Sequence, residues 1–321
     1  MFPPLIDLAP FVCDTETTKT KEEVALELRK ACREVGFFQV RSPSVSQEDI
    51  SRGFAAAMEF FDQPADVKES SSAFNSALFR GYQGTTSHSH SCSPNANHKQ
   101  DLKESFTIGA SGDVSPMHGQ NNWPEACPKS IIEQIETYWN LIMEVSLQVS
   151  RCLALSLGLD EHFFTANMTN PVAQMVLLRY PPAPTDENQN PLRPGCGAHT
   201  DCGFLTLLVQ DKDVDGLQIK DSEGNWIDAP QQEGCILCNL GDMAERWSND
   251  YFKSTWHRVN NVSGRLRHSI PFFCNLDYNA EVDPSTSVCQ GTLAEVVGSP
   301  KYEPICAGEY ICQKLGIMHD N

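Results

Sequence analysis

The chain has 321 residues, of which 40% are hydrophobic, and a formal net charge of −18. This length suits one large domain or two small ones with a sizeable core, while the acidity disfavours nucleic acid as a partner, because phosphate backbones are bound by Lys and Arg. No apolar run is long enough to span a bilayer, and residues 1–7 do not form a signal peptide, so we expect a cytosolic protein without a membrane partner.

The first half of the chain is predicted to be mainly helical. Apolar residues recur every three or four positions in several stretches, and residues that favour helix ends border them, such as Ser46 before one stretch and Gly36 after another. The predicted helices lie at 21–35, from Ser46 to before Pro64, at 130–157 and at 161–166, with short strands at 4–8 and 37–40.

Residues 70–100 are rich in Ser, Thr, Asn and His. The alternating His88 and His90 could indicate a metal site, but no helix or strand is predicted to fix them, so we favour a mobile loop. Within this segment Arg80-Gly81-Tyr82 is a candidate for contact with a substrate.

From Val172 onward the apolar pattern changes to a period of two. Many short strands separated by Gly, Asp, Asn and Pro indicate a sandwich or a barrel. No flexible linker separates the helices from the strands, so we expect helices packed outside one barrel. The predicted strands lie at 172–180, 204–210, 216–219, 235–240, 256–262 and 267–275.

Thirteen cysteines is a high and odd number. Without an export signal they are expected to be reduced thiols, many of them buried. Cys235 and Cys238 form a C-x-x-C sequence, but they lie in an apolar run that indicates a buried strand, and no second C-x-x-C lies nearby. We therefore expect structural thiols here and no zinc site.

His199 and Asp201 flank Thr200, so in extended backbone both side chains leave the same face. The pair alone is a weak signal, because a surface histidine beside a capping aspartate would look the same. His257 lies in a later predicted strand, where a histidine bonded to backbone is the alternative. Two imidazoles and one carboxylate can occupy one face of a ferrous ion and leave positions open for a co-substrate and O2. The three residues together predict a non-haem iron oxygenase.

Arg267 and Ser269 share a face of the strand that follows His257. A buried arginine is costly unless it is paired, and the far carboxylate of a diacid would pair with it through two charge-assisted hydrogen bonds. A structural Asp or Glu is the alternative partner. Strand alternation places Tyr180 on an inward face, where its hydroxyl could bond the same carboxylate or its ring could simply pack.

Motifs along nearly the whole chain, in order, resemble the iron(II)/2-oxoglutarate-dependent dioxygenases of the isopenicillin N synthase-like family. The resemblance is carried by Pro4-Leu-Ile-Asp-Leu8, Gly36-Phe-Phe38, Arg80-Gly-Tyr82, Lys103-Glu104, Asn122-Trp-Pro124, Leu178-Arg-Tyr-Pro-Pro182, His199-Thr-Asp201, Asn239-Leu-Gly-Asp242, Trp247-Ser-Asn249, Ser254-Thr-Trp-His-Arg258 and Arg267-His-Ser269.

The resemblance implies a mainly β fold with surrounding helices, a distorted double-stranded β-helix of the jelly-roll, cupin-like kind. It implies one dioxygenase domain over 1–321, with a helix-rich region at 1–170 and a β-helix core with a C-terminal helix at 171–321. By the same likeness His199, Asp201 and His257 bind Fe(II), while Arg267, Ser269 and Tyr180 hold 2-oxoglutarate. Leu178 departs from the Asn that many relatives carry, which removes a polar contact near the co-substrate.

The family's reaction converts 2-oxoglutarate and O2 into succinate and CO2 while a C–H bond of the substrate is broken. The presence of Asp201 favours hydroxylation, desaturation or oxidative ring closure, because related halogenases lack this carboxylate. A same-fold oxidase that does not use 2-oxoglutarate and a non-catalytic binding module remain alternatives. A zinc hydrolase is less favoured, since no obvious base accompanies the site.

The substrate is expected to be a small-molecule metabolite, and the protein a monomer. Arg80 could favour an anionic substrate, with a solvated loop charge as the alternative. Strand alternation and family likeness name the residues that could line the substrate pocket, although each could equally be packing: Arg80, Tyr82, Gln174, Val176 and Phe273.

Overall fold

The computed structural model describes residues 3–13, 17–85, 101–187, 191–290 and 292–316. The helices are α1 (Lys21–Glu34), α2 (Gln47–Phe61), α3 (Ala65–Glu69), α4 (Lys129–Ser156), α5 (Asp242–Trp247), α6 (Ala294–Val297) and α7 (Ala307–Leu315). The strands are β1 (Leu5–Asp7), β2 (Phe37–Arg41), β3 (Gly81–Gln83), β4 (Glu104–Gly109), β5 (Pro171–Tyr180), β6 (Cys196–His199), β7 (Leu205–Gln210), β8 (Leu217–Lys220), β9 (Trp226–Asp228), β10 (Ile236–Leu240), β11 (His257–Val259), β12 (Arg267–Asp277), β13 (Glu281–Val282) and β14 (Ile305–Cys306).

Capping boxes start both long N-terminal helices. The Ser46 side chain accepts from the backbone N–H of Asp49, whose carboxylate accepts in return from the Ser46 backbone N–H, and Thr20 and Glu23 form the same arrangement at α1. Each box satisfies donors that a helix start otherwise leaves unpaired. The predicted cap at Ser46 is confirmed, and it fixes where α2 begins to pack against α4.

The long helix α4 packs against α1 and α2 on one side and against the sheet on the other. Its predicted apolar stripe is confirmed, because all seven of its residues are buried: Ile131, Ile135, Tyr138, Ile142, Val145, Val149 and Leu153. Gly158 follows the helix with φ at +71°, a left-handed conformation that glycine adopts without strain. The stripe belongs to the same core as the apolar faces of the sheet.

Two sheets form the body that carries the site. The larger has eight strands in the order β1-β2-β10-β7-β12-β5-β4-β3, and the smaller has four in the order β6-β11-β8-β9. Side chains from both sheets line one shared cavity. Together with the flanking helices this is the mainly β fold, the distorted double-stranded β-helix, that the sequence predicts.

Three local predictions differ from the structure. The helix predicted at 161–166 is wrong: most backbone hydrogen bonds here span three residues, such as Phe163 N–H to the Asp160 carbonyl, so only turns and a 3-10 helix at Thr165–Asn167 form. The loop predicted at 70–100 is wrong at 81–83, which form β3, whereas 86–100, with His88 and His90, lies outside the described residues. The strands β4, β6, β9, β13 and β14 were not predicted.

The cysteines behave as expected for the part of the chain that the structure describes. Its twelve described cysteines are all free thiols. Cys235 and Cys238 are both fully buried at β10, which agrees with structural thiols. No helix within the described ranges is long and apolar enough to cross a bilayer.

Candidate metal centre and active-site cavities

The structure brings His199, Asp201 and His257 together. His199 ends β6 and lies directly opposite His257 in the antiparallel pairing with β11, while Asp201 lies just beyond the end of β6. One ligand atom of each residue lies within 4.8 Å of the others. The Oδ1 atom of Asp201 is 3.7 Å from Nε2 of His199 and 3.6 Å from Nε2 of His257. This spacing allows one cation to contact all three atoms.

Backbone contacts orient the two imidazole rings. Nδ1 of His199 lies 2.8 Å from the carbonyl oxygen of Gly197, and Nδ1 of His257 lies 3.0 Å from that of Thr255. Each carbonyl accepts a hydrogen bond from the Nδ1–H group, which leaves Nε2 as the ring nitrogen that can bind a metal. Burial, with the neighbouring His199, lowers the pKa of His257 to about 4. Its ring is therefore neutral, the form that binds metal.

Two hydrogen bonds fix the carboxylate of Asp201. Its Oδ2 atom accepts from Thr206 Oγ1 at 2.6 Å and from Asn239 Nδ2 at 2.7 Å. Burial alone would raise the pKa of Asp201, but His257, His199 and these two hydrogen bonds hold it below its usual range. The carboxylate is therefore ionised, and Oδ1 remains available as a ligand.

Thr206 and Asn239 were not assigned a role from the sequence. They face each other across β7 and β10, so only the strand pairing brings both to the same carboxylate. The one available signal was that Asn239 begins a motif of the resembled family. Gly241 in that motif permits the close packing behind the site, because a Cβ there would lie 2.2 Å from the carbonyl oxygen of Gly203.

A buried arginine with unsatisfied donors lies in the cavity that contains the metal candidates. Arg267 is 0% exposed, and its Nη2 donates to Gln210 Oε1. Its Nε and Nη1 atoms are buried without a hydrogen-bond partner among the described residues. Tyr180 lies opposite it on β5, with the ring centre 5.2 Å from the guanidinium carbon. Unpaired buried donors are costly, so this arrangement is suited to an anionic ligand.

This first cavity has a volume of about 240 Å³. Its wall includes Ser269 and, opposite it on β5, Leu178. The wall is therefore apolar at the position where many relatives carry Asn. The sequence assigned no role to Lys103, yet Lys103 also lines the cavity and pairs with Asp101 at 2.9 Å. The cavity therefore holds a second cation, Lys103, whose charge is neutralised by Asp101.

A second cavity, of about 400 Å³, shares His199, Asp201, Thr206 and Phe273 with the first. Of the residues predicted to line a substrate pocket, Gln174 and Arg80 lie in the wall of the second cavity, Val176 lies in the wall of the first, and Phe273 lines both. Tyr82 lines neither cavity, and its hydroxyl donates to Glu104 at 2.6 Å.

Comparison with known proteins gives two family-model matches. Residues 171–276 match the 2OG-Fe(II) oxygenase superfamily, and residues 3–126 match the model described as non-haem dioxygenase in morphine synthesis N-terminal. The three residues of the metal candidate, with Arg267 and Ser269, lie within the first match.

Similar proteins match over nearly the whole chain. A homoarginine-6-hydroxylase of Oryza sativa subsp. japonica is 32% identical and covers 97% of this chain and 96% of its own. The 2-oxoglutarate-Fe(II) type oxidoreductase hxnY of Emericella nidulans is 34% identical and covers 96% and 88%. A solved Neurospora crassa structure in complex with alpha-KG and thymine has a TM-score of 0.80 at 28% identity, covering 98% and 96%.

Proposed function

Since the chain belongs to the 2OG-Fe(II) oxygenase superfamily, and is thus an iron- and 2-oxoglutarate-dependent oxidoreductase, we propose specific roles for its residues. His199, Asp201 and His257 hold Fe(II). Arg267, Ser269 and Tyr180 hold the far carboxylate of 2-oxoglutarate. Two imidazoles and one carboxylate are a donor set that suits Fe(II) with open positions.

The observation that carries this proposal is the state of Arg267. Two of its nitrogens are buried without partners among the described residues, in the same cavity as the three metal candidates. A carboxylate would satisfy both with charge-assisted bonds. The comparisons favour 2-oxoglutarate dependence over the two alternatives, the oxidase without 2-oxoglutarate and the binding module, because the relatives are named as 2-oxoglutarate-dependent enzymes.

Iron held at this site would supply the O2-dependent oxidation that converts 2-oxoglutarate to succinate and CO2 and breaks a substrate C–H bond. The protein's own contribution is position. The carbonyls of Gly197 and Thr255 hold the imidazoles in one tautomer, and Thr206 with Asn239 directs a single carboxylate oxygen to the metal. The Arg267 end of the cavity sets where the diacid lies.

We place the substrate in the second cavity, whose wall includes His199 and Asp201. Gln174 and Phe273 are the proposed contacts, and the reaction is hydroxylation, desaturation or oxidative ring closure of a small molecule. The known relatives act on or bind small molecules by name, such as homoarginine and thymine. Tyr82 is not part of this proposal, because its hydroxyl is engaged with Glu104.

The test is succinate formation by the purified protein with Fe(II), O2 and 2-oxoglutarate, compared with His257→Ala and with His162→Ala, an exposed histidine of a surface turn. We expect succinate from the wild type and from His162→Ala and background from His257→Ala, since only the latter loses a ligand atom. Equal succinate formation by His257→Ala would refute the assignment of the metal site.

We further propose that the chain acts as a monomer in the cytosol and does not bind nucleic acid. Its net charge of −18 supports the last point, and residues of one chain supply both cavities. Light scattering after size exclusion should give a mass near 35.6 kDa. A dimer mass would contradict the proposed state.

A further inference from the structure

The second cavity has a mainly apolar wall. The lining also includes polar side chains such as Thr200, Asn275 and Lys314, but most of its surface is apolar and comes from several elements: Leu78, Met117, Val172, Leu205, Phe273 and Leu315. Burial of apolar surface is favourable at about 25 cal/mol per Å². A ligand of this cavity therefore needs a largely hydrocarbon body.

The cavity has no free acidic side chain among its described lining residues. The acidic residues there are Asp201, the proposed iron ligand, and Asp242. Asp242 pairs with Lys314 at 3.2 Å and accepts from the hydroxyl of Ser254 at 2.8 Å. Neither carboxylate is therefore available to pair with an ammonium or guanidinium group of a substrate.

The cavity wall also holds a positive charge that no described carboxylate neutralises. Arg80 is 2% exposed, so the alternative of a solvated loop charge is wrong. Its two Nη atoms donate to the carbonyls of Ala110, Met117 and Gly119 and to the side-chain oxygen of Asn121. These neutral acceptors satisfy the donors but leave the charge, which repels cations and attracts anions in the nearby cavity.

Arg80 lies close to Gln174, a polar side chain of the sheet in the wall of the second cavity. Gln174 on β5 lies opposite Phe273 on β12 and opposite Gly109 on β4. The guanidinium covers Gly109, where a Cβ would lie 2.6 Å from Nη2 of Arg80. The Gln174 side chain forms no hydrogen bond with any described residue, so its amide can donate to a ligand oxygen.

We propose that the substrate of this chain is an apolar acid, with its hydrocarbon body against Phe273 and its carboxylate near Gln174 and the Arg80 side of the cavity, and that the cavity rejects basic molecules. This inference rests on the proposed function of the site. It separates the chain from a relative of 32% identity whose name gives homoarginine, a basic amino acid, as substrate.

The test uses three probes of one shape: 4-phenylbutyrate, 4-phenylbutanamide and 4-phenylbutylamine. Their affinities are measured by calorimetry on the protein loaded with Fe(II) and 2-oxoglutarate in the absence of O2. We expect the acid to bind tighter than the amine by about tenfold or more, which is about 1.4 kcal/mol, with the amide between them. Equal affinities, tighter binding of the amine, or no binding of any probe at millimolar concentration would overturn the proposal.

Gln174→Glu provides the sharper control, because it keeps the shape of the side chain and adds a carboxylate to the cavity. We expect it to reverse the order of acid and amine, whereas Gln63→Glu, which lines neither cavity, keeps the wild-type order. An unchanged order in Gln174→Glu would contradict the placement of the acid at Gln174.

The two proposals fail separately. Binding of 2-oxoglutarate to the iron-loaded protein is measured first, without any probe. If that complex does not form, the proposed function fails. If it forms and the acid has no advantage over the amine, only the inference about the substrate fails.

Discussion

The surroundings of Arg267 give the clearest indication that this site binds a ligand. Arg267 is a fully buried cation with two donors unpaired among the described residues. Replacement of such a charge by an apolar side chain of similar length is often neutral or stabilising, whereas loss of one partner of a charge pair is costly. The same residue should therefore contribute little to folding and much to co-substrate binding.

We predict that Arg267→Met leaves the free energy of unfolding of the ligand-free protein unchanged or higher, and raises the Kd of 2-oxoglutarate about 100-fold or more, equivalent to about 3 kcal/mol. Chemical denaturation and calorimetry measure the two quantities. A strongly destabilised variant that binds 2-oxoglutarate normally would show that the arginine has only a structural role.

Thr206 tests whether the second oxygen of Asp201 must be held. Thr206→Val keeps the shape but removes the 2.6 Å hydrogen bond, so the carboxylate can rotate. We predict a loss of iron affinity of about tenfold or more, measured by competition with a chelator, and recovery in Thr206→Ser. Equal iron affinity in all three proteins would remove Thr206 from this role.

The metal candidates could be predicted from the sequence, and their hydrogen-bond partners could not. His199 and Asp201 lie two residues apart, so strand geometry alone predicts a shared face. Thr206 and Asn239 come together through the pairing of two strands far apart in the chain. The same kind of long-range packing decides whether other donors are bonded. It satisfies the Nη donors of Arg80 and leaves the side-chain amide of Gln174 without a partner among the described residues.

At the scale of elements, an ion-pair cluster joins α1 to α4. Glu161 accepts from Lys21 of α1 at 2.9 Å and from Nε of Arg151 of α4 at 2.7 Å. Burial opposes ionisation of Glu161, but these hydrogen bonds and the two positive charges lower its pKa below the ordinary value of 4.5. Because the folded-state pKa is the lower one, the stabilisation is present above that ordinary value and is lost as the pH falls through the folded-state pKa.

We predict that Glu161→Gln lowers the free energy of unfolding by about 1 kcal/mol at neutral pH, and that this difference shrinks as the pH falls below 4.5. Denaturation at a series of pH values, with Glu136→Gln on the exposed face of α4 as control, measures it. A difference that stays constant down to acidic pH would contradict the role of the ion pairs.

The long helices were predictable, but length alone did not decide which strands were: β1 and β11, of three residues each, lie in predicted strands, whereas β4, of six, was not predicted. The stripe of α4 and the caps of α2 carry their signals within one stretch of chain. Strands β3 and β9 have three residues each, too few for a period-two pattern to be distinct, and their positions follow from the sheets that they join. The helix predicted at 161–166 was short, and turns whose backbone hydrogen bonds span three residues formed there instead.

At the scale of the whole molecule, helices from the first half and strands from the second share one core. We propose that residues 1–321 form a single domain with a helix-rich region at 1–170 and a β-helix core at 171–321. Such a domain should unfold in one cooperative transition, with coincident helix circular dichroism and tryptophan fluorescence. Two separated transitions would show that the helical region and the β core fold independently.

The central claim is that three side chains bind one ferrous ion beside an arginine that binds the diacid. Anaerobic titration of the metal-free protein with Fe(II) and then 2-oxoglutarate tests it most directly. We predict one iron per chain, one 2-oxoglutarate per iron, loss of iron binding in Asp201→Ala, and weakened 2-oxoglutarate binding with intact iron binding in Arg267→Met. Iron binding that survives in Asp201→Ala, or 2-oxoglutarate affinity that is unchanged in Arg267→Met, would contradict this account.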